Sequence, residues 1–224
     1  NDSICLTKSG HLINGQHRMM AVCQSGVACQ FNVSRGYDEE DIMVMDNGVA
    51  RSACDLLFLQ DVKNANTLSG VIKRRIVLSR NVTAISDVGA IREKILNSTI
   101  NEEYYAHKQL YDDVTKMALC AYTKLRVLFA SDYGGIAAHL ILDQNHSMEE
   151  VKSFWFEFCG IQPDTNNATK LLRQKLINEK MSKTKMSNVM KQKLIIKTWN
   201  AYITGNSIKH LQYNEINDKD VWFL

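Results

Sequence analysis

Apolar and polar residues change rhythm once along this chain, just after Asp61. Before that point, short β-type runs at Ser3–Thr7, His11–Ile13 and Cys29–Val33 alternate with short helical ones over 17–25, 39–45 and 51–59. Turn signals at Ser9-Gly10, Ser25-Gly26, Arg35-Gly36 and Asn47-Gly48 separate them. After it, Leu68, Val71, Ile72 and Ile76 recur at helical spacing, as do Leu110, Val114, Met117, Ala121, Leu125 and Leu128. Ser147 with Glu150 three residues on is a capping-box signature that opens a helix running through Phe158. Gly160 and the sole proline, Pro163, then break the chain before Lys-rich helices. The last helix carries Leu194, Ile195, Ile196, Trp199 and Tyr202, the two aromatics reading as core. The pattern predicts helix over 62–210 and a surface strand or loose tail for the final ten or so residues. The expected class is α+β: a small mixed α/β domain at 1–61, then an all-helical domain at 62–224.

Composition alters this picture little. In 224 residues, 45% apolar and 23% charged is ordinary for a globular chain able to bury a full core. No apolar run approaches the roughly 20 residues that span a bilayer, so no membrane partner is expected. The six cysteines, Cys5, Cys23, Cys29, Cys54, Cys120 and Cys159, show no C-x-x-C pair and no zinc spacing. Most have apolar neighbours, where a thiol behaves as a small hydrophobe, so a reduced cytoplasmic protein with inert cysteines is expected. Asn-x-Ser/Thr triplets at Asn32, Asn81, Asn97, Asn145 and Asn167 are no more than an Asn-rich chain yields by chance.

Charge alters it more. The net +3 hides four Lys/Arg against eight Asp/Glu in residues 1–62. Within 170–197, nine basic residues meet one acid, Glu179. An acidic first part joined to a basic later one suggests two roles. The Lys-rich helices, with Lys183, Lys185 and Lys191 as candidate contacts, could follow a DNA backbone without reading bases; the plain alternative is a solvated face. Lys73-Arg74-Arg75 is a second basic knot with the same two readings. No helix-turn-helix signature stands out.

The richest chemistry lies in Gly10–Ala21, which reads as a hairpin running into a helix. Gly15 would let backbone approach a ligand, and a helix start offers N–H donors and partial positive charge. Gln16, His17 and Arg18 add an amide, an imidazole and a guanidinium fork, a set that suits a phosphate.

Asn14-Gly15-Gln16-His17-Arg18, followed by Ala21, resembles the helix start of the ParB/sulfiredoxin-like superfamily, in particular the phage and mobile-element branch with a D/N-G-Q-H-R motif. Looser similarity continues through Ser25-Gly26, the strand ending at Val33, Arg35-Gly36-Tyr37-Asp38, Met45-Asp46-Asn47-Gly48, Arg51-Ser52 and Asp55. It extends to Asn64–Leu68, Leu172-Arg173 with Leu176, and Trp199-Asn200-Ala201 with Gly205. Only the Gly-Gln-His-Arg segment is specific. The resemblance implies a nucleoside triphosphate as ligand, its phosphates held by Asn14, Gly15, Gln16, His17 and Arg18, and a protein acting on or near DNA. Homo-oligomers are compatible with it. Because the chain opens on Asn1 rather than Met, and that branch begins with a further strand and helix, a preceding segment is expected.

Two departures matter. Relatives often carry Glu where Gln16 stands, and an amide holds Mg²⁺ poorly, so Mg²⁺ is an optional companion of the nucleotide. Sulfiredoxins carry a catalytic Cys at that position, so sulfinic acid reduction is disfavoured here. A nuclease with His17 as general base and Asp46 on a metal is the rival reading, and a fold that has lost its ligand is a third. Asp46 and Arg51 could also touch a ribose hydroxyl and a phosphate, or Asp46 could cap the next helix and Arg51 pair with Asp55. His139, Asp143 and His146 have helical spacing for metal ligands, but no fourth ligand accompanies them, and no metal site is expected.

Overall fold

The computed structural model describes residues 3–43, 52–80, 95–183 and 185–212. Asp46, Arg51, the Asn47-Gly48 turn and the expected tail lie outside them. Two compact units make up the chain, Asn1–Asp61 and Val62–Leu224. The class is mixed α+β and mostly helical, with one small sheet. Among the described residues no helix is long and apolar enough to cross a membrane.

The first unit is built on a three-stranded sheet of order β2-β1-β3. β1 (Ile4–Thr7) is central and pairs antiparallel with β2 (Leu12–Asn14), Leu6 opposite Leu12. The connection from β2 runs through helix α1 (Gln16–Ser25) to β3 (Val33–Tyr37), which lies parallel to β1 with Ile4 opposite Val33. A parallel neighbour demands such a crossover.

β3 lies downstream of the expected Cys29–Val33 strand, and the Arg35-Gly36 turn expected between elements sits inside it. Backbone pairing along the open edge of β1 decides this: the Ile4 N–H reaches the Asn32 carbonyl and the Lys8 N–H reaches Tyr37, both at 2.8 Å. Gly36 at φ +95° absorbs the irregular register before Tyr37. Side-chain alternation over 29–33 could not reveal that edge. A 3₁₀ helix (Glu39–Met43) falls within the short helical run expected over 39–45. Helix α2 (Ala53–Leu59) starts at a reciprocal Ser52–Asp55 capping box and buries Leu56 and Leu57.

The second unit is a helical bundle: α3 (Ala65–Ser79), α4 (Asn97–Ala106), α5 (Lys108–Lys124), α6 (Ala130–Leu142), α7 (Met148–Phe158), α8 (Asn167–Met181) and α9 (Asn188–Ile203). α6 is its centre, mostly apolar and with every residue from Asp132 to Leu140 buried. α3 crosses it closely because the facing positions are small. A Cβ on Gly134 would lie 2.5 Å from Val71, and one on Gly135 would lie 2.3 Å from the Arg74 stem. α7 opens with the expected Ser147–Glu150 box and supplies Phe154, Trp155 and Phe158 to an aromatic core with Tyr133 and Trp199. Trp199 is fully buried, the core residue its spacing suggested.

Candidate phosphate-binding site

Gly15 sets the geometry of the candidate site. It caps α1 at φ +101°, a conformation L side chains rarely adopt, and is buried against Ile4, whose Cγ1 would lie 2.9 Å from an added Cβ. It offers no side chain to cap the helix. The Gln16 and His17 amides belong to a first turn that has no intrahelical acceptors, and both residues are exposed. The first helical bond is the Met19 N–H to the Gly15 carbonyl, at 3.0 Å. Arg18 is partly turned back. Its Nη2 donates to the Ser3 carbonyl at 3.3 Å and to Asn14 Oδ1 at 3.4 Å, so the guanidinium braces the β1 and β2 ends beside the helix start. Asn14, Gly15, Gln16, His17 and Arg18 thus stand together at one end of α1. The rest of α1 buries nothing: Met19 and Met20 are exposed.

A polar clamp near this unit's hairpin turn escaped sequence reasoning. Ser9 Oγ donates to Glu39, His11 Nδ1 lies 3.1 Å from the same Glu39 oxygen, and Lys8 pairs with Asp38 at 2.7 Å. The hydrogen bond from Ser9, then those of Thr7 and His11, hold the Glu39 carboxyl below its ordinary pKa despite some desolvation. Ser9 and Glu39 meet His11 on one ring nitrogen, so the imidazole does not stand between hydroxyl and carboxylate as a proton relay needs. The clamp joins residues about 30 apart in sequence and leaves no periodic trace.

No family model matches the chain, and neither a curated protein nor a solved structure does.

In the second unit, the basic segment is less available than its sequence count. Lys191 is mostly buried and pairs with Glu179 at 3.2 Å. Glu179, buried itself, also accepts from the Met186 N–H at 2.8 Å; desolvation would raise its pKa, but these bonds and the Lys191 charge hold it below normal. Lys185 donates to the Glu179 and Lys180 carbonyls at the C-terminal end of α8 while remaining exposed. Lys183 is exposed, as are Lys170 and Lys180, whereas Lys193 is buried in α9. Arg173 is held by Asp164. The basic knot on α3 is likewise engaged: Arg74 pairs with buried Asp132 at 2.6 Å, and Arg75 with Asp143 and Glu103.

His139, Asp143 and His146 do not form a ligand set. Asp143 is held by Arg75 and by His139 Nδ1 at 2.7 Å, while His146 faces the Trp199 ring at 4.9 Å. Among the described residues, no three His, Cys, Asp or Glu side chains converge as a metal site. All six cysteines are free. Contrary to the expectation that most are apolar fill, only Cys5 and Cys159 are buried; Cys23, Cys29 and Cys120 are exposed. The reason for Cys23 is that α1 packs no face.

Proposed function

We propose that the chain is a nucleotide-binding protein of the ParB/sulfiredoxin-like kind, from a phage or mobile element, acting on or near DNA. The phosphates of a nucleoside triphosphate rest on the N-terminal end of α1. One observation carries this reading: a left-handed glycine stands at the Gly15 cap, so no side chain caps the first turn, and Gln16 and His17 there are exposed. An anion supplies the missing acceptor, favoured by the helix dipole. His17 is exposed and adds a contact, while Arg18 contributes charge from its braced position beside Asn14. The exposed lysines of α8 give the helical unit a face for a nucleic-acid backbone. Resemblance of the Asn14–Arg18 segment to the superfamily motif supports the choice of nucleotide over simple phosphate.

Thermal denaturation and calorimetry with each nucleoside triphosphate, with and without Mg²⁺, test the reading. A cognate nucleotide at a hundredfold excess over its Kd stabilises the protein by about 2.7 kcal/mol. His17→Ala and Arg18→Ala weaken binding, and Gln24→Ala, at the far end of α1, does not. Absence of a shift with every nucleotide overturns it.

A further inference from the structure

A groove in the helical unit is lined on one side by α8, through residues other than the exposed lysines proposed above to meet nucleic acid. One wall is a stripe of α8, with Gln174, Lys175 and Asn178 at helical spacing; the other is the extended segment carrying Lys209 and His210. Leu171 and Leu211 contribute an apolar stretch between them. The volume is about 210 Å³.

The second wall is held in place. The Asn167 side-chain amide pairs with the Ile208 backbone in both directions, Nδ2 donating to the carbonyl at 2.9 Å and Oδ1 accepting from the N–H at 3.2 Å. Leu211 is buried, and Lys197 donates to the Gln212 carbonyl at 3.2 Å. The extended segment is thus secured on both sides of His210.

We propose that this groove binds a phosphate group. Two lysines and a histidine line it from opposite walls, and among the described residues no Asp or Glu lines it and Lys175, Lys209 and His210 form no ion pair. Elsewhere in this unit Lys191, Arg74, Arg75 and Arg173 are each matched to an acid. Lysines gathered in a groove with no counter-charge among the described residues attract an anion, and charge-assisted bonds to it are the strong ones. Gln174 and Asn178, one turn apart, add amide donors from the α8 side. The volume is more than a single water or a bare ion occupies. The leucines suit the uncharged remainder of a phosphorylated molecule, or a sugar of a nucleic-acid backbone.

Two probes separate those sources: pyrophosphate, and a short mixed-sequence single-stranded DNA. Each is titrated into the full ¹⁵N-labelled chain at low ionic strength, against potassium chloride at matched ionic strength. Pyrophosphate shifting the amide signals of Lys175, Lys209 and His210 supports the proposal with a small-molecule source. Shifts there from the DNA alone support it with a nucleic-acid source. A Lys175→Gln/Lys209→Gln variant weakens binding about a hundredfold, roughly tenfold for each charge-assisted contact removed. Arg18→Ala leaves this binding unchanged, which separates it from the α1 site. If neither probe shifts these signals beyond the chloride control, or the double variant binds as tightly as the parent, the proposal is overturned.

Discussion

Arg75 grips Asp143 with two nitrogens, Nε at 3.0 Å and Nη2 at 2.6 Å, while its Nη1 reaches Glu103 at 2.9 Å. Tyr111 donates to the same Glu103 oxygen at 2.8 Å, and His139 completes the group on Asp143. One guanidinium thereby ties α3 to α4 and to the end of α6. Desolvation would raise the Asp143 pKa, but the His139 and Arg75 bonds and the Arg75 charge hold it below its usual value. A carboxyl depressed in the folded state stabilises above its unfolded pKa, about 3.9, and that stabilisation is lost as pH falls through the lower folded value. Melting temperatures should therefore drop as pH is taken below about 4. Asp143→Asn should cost about 3 kcal/mol at neutral pH, the low end for breaking a half-buried pair, and flatten the acid limb. An unchanged acid limb in the variant would show that the pair is not the source.

Gly134→Ala tests the α3–α6 crossing. The added methyl meets the Val71 side chain at 2.5 Å and the Ala118 methyl at 3.2 Å. Chemical denaturation should show a loss of about 1–3 kcal/mol, the usual cost of overpacking. A neutral result would mean the helices separate without penalty.

Thiol chemistry should sort the cysteines by exposure. Under native conditions a disulfide reagent should modify Cys23, Cys29 and Cys120 quickly. Burial pushes the Cys159 thiol up to about 12, so it should react only on unfolding, and buried Cys5 should also lag. Six thiols should be counted in denaturant without reductant. Mass spectrometry of labelled peptides at early times decides the order.

Lysines of the basic segment divide into two groups with opposite expected behaviour. Charge reversal at Lys170, Lys180 and Lys183 should abolish duplex binding with little change in melting. The parent's affinity should fall with salt at a slope of about 0.9 per phosphate neutralised. Lys191→Glu should instead lower the melting temperature, because it sets two buried acids against each other at Glu179. Equal DNA affinity in the triple variant and the parent would leave the face a solvated surface.

Local signals carried far along this chain. Ser147 and Glu150 announced a helix start by chemistry that operates within four residues, and the spacing of Val71, Ile72 and Ile76 gave the buried face of α3. β3 was misplaced because its position answers to the edge of β1, not to its own side chains. The ion pairs were invisible for the same reason. Arg74 and Arg75 read as a basic knot, yet their acids lie on α4 and α6, and nothing in Lys191 reveals that it turns inward to Glu179. Around Gly15 the sequence indicated the turn and the helix; that Arg18 braces Asn14 and Ser3 needed the third dimension.

The placement of α6 also has a kinetic side. Its principal partner is α3, and Arg75 and Asp143 are 68 residues apart, with α4 and α5 between. Neighbouring helices in sequence can pair early, but this crossing forms only after that long intervening stretch has been drawn in and its closure entropy met. Folding of the helical unit is thus paced by one non-local event. Until it occurs, the glycine-lined and mostly apolar face of α6 remains open to water and to other chains.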